Sequence, residues 1–388
     1  MQRLIMAAVL TGLMVSSLSD LGRARQPRLP DKPPQDRYDI FLTHAEGLRF
    51  IYPEGYYVDS ATAYRSPDPN SALQKSWEIW KAADYRPWGG RYPAEPAGSE
   101  PPPHISLEIL RNPEAKPLQQ WMESPTSPAM PKIVAGQPAI AYRATGLYEY
   151  DVVLLNHPNG DVVKLQVGYL DAADPLRSVF QVVLDSLTFD HITAEGRIRS
   201  VNYRPLIAAL KTGNWQMANL ETRAILMQLM PESGYFYPHL QGADIQSLPC
   251  QEVQQLDAAW QRHSDGKFGF SVQSQIWNSV PAPRQVESFG NQVGWRQLPA
   301  ADLSPLRTPW KFDSNLTYST EAPLGHLPWL GVSSLQLERM LANSGAGCGS
   351  CTVDAMYLSS DRFGDFLPAF MSRVNACLSQ DPSPVLSD

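Results

Sequence analysis

Three β-rich runs followed directly by one amphipathic helix restrict how the first half of this chain can fold. The runs cover Ala139–Leu147, Tyr150–Leu155 and Val162–Tyr169. Asn159-Gly160 lies between the last two and is a strong hairpin signal. In Pro175–Leu187 apolar residues recur at i, i+3, i+4, i+7, i+8 and i+11, so one face of this helix must pack on the sheet. The pattern predicts an antiparallel α/β sandwich over residues 38–190.

Two further strands and one irregular stretch complete this half. Leu48–Pro53 and Ile105–Leu110 have the composition of short strands. Between them, Ser66–Pro103 is rich in proline and glycine, and we expect a long loop there. Leu118–Met122 is predicted to be a short helix.

Helical patterns dominate the second half, which predicts an all-α domain over residues 200–330. A first helix ends at Gly213, and Asn214 is a capping residue for the next. Pro249–Trp277 is predicted to be two helices joined by a turn at Asp265-Gly266. The fold class is therefore an α+β chain of two domains.

The remaining C-terminal residues lack this regular pattern. Pro281–Pro328 is expected to be a long ordered loop with short helical turns. Residues 331–388 form a C-terminal extension with a predicted helix at Val332–Leu341 and another at Asp361–Leu378.

Large aromatic residues surround the turn of the helix pair. Phe268 and Phe270 flank Gly269, and Val272, Ile276 and Trp277 continue on one face of the second helix. Such residues either line a flat apolar pocket or form ordinary core, and periodicity alone leaves both interpretations open.

A set of motifs in residues 200–330 resembles the Genomes-Uncoupled-four porphyrin-binding domain. Within the helix pair these are Asp257, Trp260, Gly266, Phe268 to Gln273 and Ile276; further motifs are Tyr203-Arg204-Pro205-Leu206, Gly213-Asn214-Trp215, Ala218 to Thr222, Leu248-Pro249-Cys250, Phe289-Gly290, Val293 to Arg296 and Ala322 to Pro328. The run of motifs in this order is specific, whereas each one alone is weak. The resemblance implies a domain that binds porphyrins and regulates magnesium chelatase in chlorophyll synthesis, in a cyanobacterium or a similar phototroph.

A porphyrin requires apolar walls for its face and cations for its propionates. The resemblance implies a cleft between the helix pair and the downstream loop. Its floor would be Phe268, Phe270, Val272, Ile276 and Trp277. The loop would contribute Trp295, Leu316 and Leu327, and the rim cations would be Arg296, Arg307 and Lys311. For each cation the alternative is an ordinary solvated surface charge.

His326, in Gly-His-Leu-Pro, has two alternative roles. One ring nitrogen could ligate the metal of a bound Mg-porphyrin. Alternatively, the ring hydrogen-bonds backbone groups in a turn, which is the commoner role of such a histidine. His263, beside the helix-pair turn, is expected to be exposed.

The first domain has a looser resemblance to PsbP-like domains, which are often found in the thylakoid lumen. It rests on Tyr52-Pro53-Glu54-Gly55-Tyr56 after a strand and on a helix that ends in Asp185-Ser186-Leu187-Thr188-Phe189.

The N-terminus predicts export. Arg3 precedes the apolar run Leu4–Val15, which suits a signal-peptide core and is too short to span a bilayer comfortably. Residues 1–25 are therefore a signal peptide or an uncleaved membrane anchor, and 26–37 a proline-rich linker. We expect the protein in the periplasm or thylakoid lumen, or tethered to a membrane, with the cytoplasmic face as an alternative.

Charge and motifs exclude several function classes. The net charge is -7, and without a basic stripe nucleic-acid binding has little support. The sequence contains no zinc-protease, nucleophile-elbow or phosphate-loop motif, so we do not predict an enzyme.

The four cysteines are Cys250, Cys348, Cys351 and Cys377. One Cys-x-x-Cys permits redox chemistry, a metal site or a disulfide, and in an exported chain disulfides are the expected use. We expect Cys377 to pair with Cys348 or Cys351. Cys250 stands where the resembled family often has cysteine, which implies a buried free thiol.

Two functions are carried forward. The first is a non-catalytic regulator or carrier of chlorophyll-biosynthesis intermediates that binds porphyrin or Mg-porphyrin, with the magnesium chelatase large subunit as a partner. That enzyme works on the cytoplasmic side, which conflicts with an export signal. The alternative is an exported scaffold of the photosynthetic membrane that keeps the helical fold without the ligand.

Overall fold

The structure is a computed structural model of the 388-residue chain. It describes residues 37–65, 71–82, 84, 101–192, 198–229, 242–296, 310–331 and 366–381. The predicted signal segment, the linker before Arg37, the predicted helix Val332–Leu341, Arg307, Cys348 and Cys351 lie outside these residues. All described residues belong to one compact unit, residues 37–388. The domain boundaries at 190 and 200 stay predictions.

Antiparallel strands make up most of the first half. They are β1 (Tyr38–Thr43), β2 (Leu48–Pro53), β3 (Tyr56–Arg65), β4 (Leu73–Lys81), β5 (Ile105–Leu110), β6 (Met130–Val134), β7 (Gln137–Thr145), β8 (Glu149–Asn156), β9 (Val162–Tyr169), β10 (Thr188–Phe189), β11 (His191–Ile192) and β12 (Ile198–Ser200). The large sheet has the order β3-β4-β5-β9-β8-β7-β6, a three-stranded sheet has the order β1-β2-β10, and β11 pairs with β12. Every pairing is antiparallel, as predicted.

Strand β4 corrects the prediction of a continuous loop from Ser66 to Pro103. It pairs with β3 and β5, and Trp77 and Ile79 on it are buried in the core of the sheet. The surrounding prolines and glycines led the local composition to predict a loop. The strand forms because it pairs with partners distant in sequence. Leu118–Trp121 is a single 3-10 turn, close to the predicted short helix.

Helix α1 (Pro175–Ser186) packs on the sheet as its pattern predicts. Asp174 caps it by accepting a hydrogen bond from the Leu176 backbone N–H at 2.9 Å. The buried face consists of Leu176, Val179, Phe180, Val183 and Leu184. Each of these side chains stabilises the fold by about 1.5–3 kcal/mol through removal of apolar area from water.

Helices form the second half. They are α2 (Arg204–Lys211), α3 (Trp215–Gln228), α4 (Gly242–Ser247), α5 (Cys250–His263), α6 (Phe270–Ser279) and α7 (Gln285–Gln292). Asn214 caps α3 by accepting from the Met217 N–H, as predicted. A last helix spans residues 366–378. None of the described helices is both long enough and apolar enough to cross a bilayer.

Helix α3 is buried around most of its circumference because the strands cover the face that the other helices leave open. The Gln228 side chain donates to the Thr43 carbonyl at 3.0 Å, and a His44 ring nitrogen lies 3.2 Å from the Met227 carbonyl. Buried Arg49 of β2 also reaches α3, with Nη1 3.2 Å from Glu221. The β-rich and helical halves therefore share a packed, partly polar seam.

The cysteine prediction is wrong in its pairing. Cys377 forms its disulfide with Cys250, 127 positions away in the chain, so Cys250 is not a free thiol. The reason is tertiary: the 366–378 helix lies against α5 and α6, and Phe370 meets the Phe270 ring edge-on at 5.3 Å. Sequence proximity favoured Cys348 and Cys351, but packing of the last helix decides which thiol is near.

Candidate functional site

The turn between α5 and α6 is built around one carboxylate. Asp257 of α5 accepts hydrogen bonds from the Ser271 N–H at 2.8 Å and the Ser271 hydroxyl at 2.9 Å, and so caps α6 from the neighbouring helix. Gly269 has φ +127°, and a Cβ there would lie 2.7 Å from the Asp257 Oδ1. Only glycine fits beside this cap. Burial raises the pKa of Asp257, and its hydrogen bonds from Ser271 oppose that rise.

The aromatic residues at this turn are core. Trp260 stacks on Trp215 with centroids 6.0 Å apart and donates its indole N–H to Thr222 at 2.8 Å. Phe268 meets both tryptophans edge-on, and its exposure is 0%. Phe270 is equally buried, behind the 366–378 helix.

Most of the side chains that were expected to form the floor of a porphyrin cleft therefore lie in the packed interior. This corrects the expectation of an open aromatic cleft. Val272 and Trp277 of α6 are buried too, as are Trp295 and Leu327. Ile276 and Leu316 are only half-buried and pack on the edge of this core. Periodicity could not distinguish these two groups, because core and pocket residues recur at the same helical spacing.

A second aromatic ladder connects α6 with the loop that follows α7. Trp277, Phe289 and Trp295 meet edge-on, with successive centroids 5.4 Å apart. The Trp295 indole N–H donates to the His326 carbonyl at 2.7 Å. These ring contacts fix the backbone at Trp295 and so position Arg296, the cation that follows it.

His326 is held by backbone on both sides of its ring. Its Nδ1 lies 2.6 Å from the Val293 carbonyl, and its Nε2 accepts from the Thr317 N–H at 3.2 Å. Because Thr317 is the donor, Nδ1 carries the proton. Burial lowers the His326 pKa to about 4, so the ring is neutral at pH 7. The expected role as a metal ligand is therefore not supported: both nitrogens are engaged, and the ring fastens the loop as in the alternative role.

The loop 310–331 is fastened to α6 along its length. The Gln273 side chain donates to the Gly325 carbonyl at 3.0 Å and the Pro328 carbonyl at 2.8 Å. The Gly269 N–H donates to the Leu327 carbonyl at 3.0 Å. Gln273 is buried and belongs to the site. The sequence indicated this residue only through its place in the motif that resembles the porphyrin-binding domain.

Two of the expected rim cations lie on one backbone bridge. Arg296 pairs with Trp310, and the Lys311 N–H donates to the Trp295 carbonyl at 2.7 Å. The Arg296 guanidinium lies 5.5 Å from the Trp310 ring centroid. Burial lowers the pKa of both cations, and the charge of Glu287 partly opposes this at Arg296. The structure thus places two partly desolvated cations on one backbone bridge, close to the edge of the aromatic core.

Other candidate positions are less informative. His263 is half-buried rather than exposed. Among the described residues, no three or more His, Cys, Asp or Glu side chains are arranged to hold a metal ion.

Comparison with protein families confirms the first resemblance. The family model described as GUN4-like matches residues 197–344. Among curated proteins, the uncharacterized protein ycf53 of Pyropia yezoensis is 32% identical over 176 residues, which are 45% of this chain and 62% of that protein. The tetrapyrrole-binding protein, chloroplastic, of Arabidopsis thaliana is 31% identical over 118 residues, 30% of this chain and 43% of that protein. The matched region therefore spans less than two thirds of each relative.

Two solved structures are each similar to part of this chain. The ligand-free structure of Arabidopsis thaliana GUN4 is 25% identical, covers 44% of this chain and 96% of that chain, and has a TM-score of 0.28. The solution structure of cyanobacterial PsbP (CyanoP) from Synechocystis sp. PCC 6803 is 12% identical, covers 40% of this chain and 94% of that chain, and has a TM-score of 0.26. Because both TM-scores are low, the fold described above rests on the strands and helices of this chain.

Proposed function

We propose that the helical half binds a tetrapyrrole, either a porphyrin or its magnesium form, where the 310–331 loop crosses α6 and α7. The protein would then act as a non-catalytic regulator or carrier of chlorophyll-biosynthesis intermediates. The GUN4-like match at residues 197–344 and the relative named as a tetrapyrrole-binding protein support this proposal.

The partial burial of two cations on one backbone bridge, Arg296 and Lys311, is the observation that carries the proposal. Burial of a cation is unfavourable, and the lowered pKa values of both side chains reflect that desolvation. A propionate bound at either side chain would restore the lost solvation of that cation through charge-assisted hydrogen bonds. Anionic ligands are therefore expected to bind more tightly here than neutral analogues of the same shape.

Apolar contact would come from the half-buried side chains at the edge of the core. Ile276 and Leu316 are the members of the expected wall that retain accessible surface, and the buried aromatics support them from behind. Burying on the order of 300 Å² of a macrocycle face would contribute about 7 kcal/mol before the costs of association. A micromolar Kd requires about 8 kcal/mol net, so these apolar contacts need the charge-assisted hydrogen bonds of the cations in addition.

A titration of the full chain with a soluble porphyrin, and separately with its magnesium form, tests the site. We expect saturable binding with a red-shifted Soret band and quenched tryptophan fluorescence, since Trp277 and Trp295 lie near the proposed site. Lys311→Gln and Arg296→Gln should each weaken the Kd about tenfold through loss of a charge-assisted hydrogen bond. Lys211→Gln, at the exposed end of α2, is the control and should leave the Kd unchanged.

The absence of saturable binding by the folded chain would overturn the proposal, and so would equal affinities for all three variants. Either result favours the alternative of a scaffold without ligand. Burial of most of the expected floor, and the engagement of both His326 nitrogens, are the observations on the side of that alternative.

The partner and the location are further parts of the proposal. The magnesium chelatase large subunit is the partner that the family resemblance implies, and export from the cytoplasm is implied by residues 1–25. Sequencing the N-terminus of the protein from each cell fraction distinguishes a cleaved signal peptide from a retained anchor.

A further inference from the structure

A disulfide ties the 366–378 helix to the rest of the helical half. Cys377 lies in the last turn of that helix, and its partner Cys250 is the first residue of α5. The match to the GUN4-like family ends at residue 344, before this helix begins. The proposed function therefore gives neither the helix nor its disulfide a role.

The helix packs along one face of α6. The Phe370 ring meets the Phe270 ring edge-on, with centroids 5.3 Å apart. One turn further along α6, the Ser274 hydroxyl donates to the Asn375 side-chain oxygen. The side chains of Asn375 and Asn278 exchange two hydrogen bonds, at 3.1 Å and 3.2 Å. Because the three α6 residues recur every four positions, they form one continuous face.

The neighbouring face of α6 holds the 310–331 loop, where the tetrapyrrole is proposed to bind. The Gln273 side chain donates to the Gly325 carbonyl at 3.0 Å. A Cβ on Gly325 would lie 2.8 Å from the Ile276 Cδ1, so the loop lies directly on that side chain. Gln273 precedes Ser274 in the chain, and α6 has only ten residues. A shift of α6 away from the 366–378 helix therefore also disturbs its contacts with the loop.

Apolar packing keeps the helix in place even without the disulfide. Its buried apolar side chains include Phe366, Leu367, Phe370, Met371 and Val374. The disulfide restrains the last turn, where the Gln254 side chain also donates to the Cys377 carbonyl at 2.8 Å. Helix ends open more readily than helix centres. Loss of the disulfide is therefore expected to make the helix open more often rather than to release it completely.

The two sulfur atoms differ in accessibility, which determines how a reductant attacks. Cys250 is half-buried, whereas Cys377 is 0% exposed. A thiolate of a dithiol attacks the Cys250 sulfur, breaks the S–S bond, forms a mixed disulfide and releases Cys377, which takes up a proton. The second thiol of the dithiol then attacks the reductant's own sulfur and frees Cys250. Two electrons pass to the protein, and the dithiol becomes a disulfide.

We propose that the Cys250–Cys377 disulfide is a redox switch that a dithiol opens, and that its state sets the affinity of the tetrapyrrole site. In the oxidised chain the 366–378 helix supports α6, and α6 holds the loop in its binding conformation. In the reduced chain the helix opens more often, the loop loses part of its support, and the ligand binds more weakly. The effect on affinity rests on the proposed function, whereas the effect on the helix does not.

Hydrogen–deuterium exchange of the full chain, before and after reduction with dithiothreitol, tests the switch without any ligand. Reduction should make the amides of residues 366–378 exchange about tenfold faster, because the cross-link no longer restrains their opening. Peptides of the 310–331 loop should also exchange faster, whereas the large sheet at residues 139–169 should not respond.

Two double variants separate this disulfide from the other two cysteines. Cys250→Ser with Cys377→Ser should exchange like the reduced wild type and should not respond to dithiothreitol. Cys348→Ser with Cys351→Ser keeps the switch and is the matched control, so it should respond as the wild type does. If the first variant fails to fold, reduction and reoxidation of the wild type decide the question.

A porphyrin titration of the oxidised and reduced chains measures the effect on affinity. We expect the Kd to be about fivefold weaker after reduction, in the range of ordinary coupling between two sites. Equal Kd values for the two forms would overturn the link to the site. If neither form binds porphyrin, the proposed function fails, and the exchange result alone decides the switch.

Two results would overturn the switch itself. One is a disulfide that dithiothreitol does not reduce in the folded chain, as shown by the mass of the intact protein. The other is unchanged exchange of residues 366–378 after the disulfide has been reduced, since packing alone would then hold the helix as firmly.

Discussion

At the scale of single residues, several buried polar groups hold the helical half together. Asp257 caps α6 across the turn, and His326 fastens the loop through two backbone contacts. Each buried group needs such a partner, because an unsatisfied polar atom in the interior costs about 1–3 kcal/mol. The sequence motif Phe-Gly-Phe-Ser is therefore explained as much by the Asp257 cap as by its aromatic rings.

Glu252, in the first turn of α5, predicts a pH dependence of stability. Burial, with a further effect of the Asp190 charge, raises its pKa to about 7, and the Tyr203 hydroxyl donates to its Oε2. The folded state therefore holds this proton more tightly than the unfolded state, whose Glu pKa is near 4.5. The stabilisation that the Glu252 proton gives the folded state is fully present below pH 4.5 and is lost as the pH rises toward 7.

Glu252→Gln should remove this dependence. Relative to the wild type, the free energy of unfolding of the variant should be about 1 kcal/mol higher at pH 8 than at pH 5, after allowance for the exposed part of the carboxyl. Denaturation curves at the two pH values measure this difference. The lowered pKa of His326 makes stability fall as the pH drops below 6.5. This effect is the same in both proteins, so it cancels in the comparison. Glu287→Gln, an exposed carboxyl in the first turn of α7, is the control. A pH-independent difference between Glu252→Gln and the wild type would contradict the prediction.

At the scale of elements, the 366–378 helix is an integral part of the helical core although it lies beyond the matched family region. Phe366, Phe370 and Val374 are buried in that core. The Arg373 guanidinium donates to the Leu248 carbonyl at 2.9 Å through Nε, and the Gln254 side chain donates to the Cys377 carbonyl at 2.8 Å. The disulfide is thus one of several contacts that hold this helix against α5 and α6.

Loss of the disulfide should destabilise the helical half. Replacing both Cys250 and Cys377 with serine removes a cross-link between positions 127 apart, and we expect the free energy of unfolding to fall by about 2–4 kcal/mol. Urea denaturation monitored by tryptophan fluorescence measures this change.

A reducing agent should destabilise the wild type and leave the double serine variant unaffected. Equal stability of the two oxidised proteins would show that packing of the 366–378 helix suffices without the cross-link.

At the scale of the whole molecule, the seam along α3 joins the two halves through buried charges. Arg49 of β2 contacts Asp190 at 3.4 Å, Glu221 at 3.2 Å and the Asn202 carbonyl at 2.5 Å. Burial raises the pKa of Glu221, and the Arg49 charge opposes that rise. On the same helix, burial lowers the pKa of Arg223. The charges of Asp39 in β1 and Asp313 in the loop oppose this lowering. The seam thus depends on paired charges as well as on apolar contact.

Arg49→Met should be strongly destabilising, because it leaves two carboxylates buried without their cation. We expect a loss of about 3–5 kcal/mol in the free energy of unfolding. Adding Asp190→Asn and Glu221→Gln to the same chain should recover part of that loss.

Arg37→Met, which breaks the more exposed pair with Glu54, is the matched control and should cost about 1 kcal/mol or less. Chemical denaturation of all four proteins decides the matter. An Arg49→Met effect no larger than that of the control would mean that the seam does not depend on this cation.

The sequence by itself determined the local elements of this protein. The apolar period of Pro175–Leu187, the Asn159-Gly160 turn, the Asn214 cap and the helix pair around Asp265-Gly266 all depend on interactions within a few residues, which a local pattern records. The ordered motifs of residues 200–330 also sufficed to indicate the resemblance that the GUN4-like match at residues 197–344 confirms.

Only the tertiary structure decided the features that depend on distant partners. β4 exists because β3 and β5 pair with it, Phe270 is buried because the 366–378 helix covers it, and Cys377 meets Cys250 for the same reason. Whether an aromatic residue is core or cleft, and whether a histidine nitrogen is free, depends on which groups pack against it. Those contacts join residues tens to more than a hundred positions apart, and no local spacing encodes them.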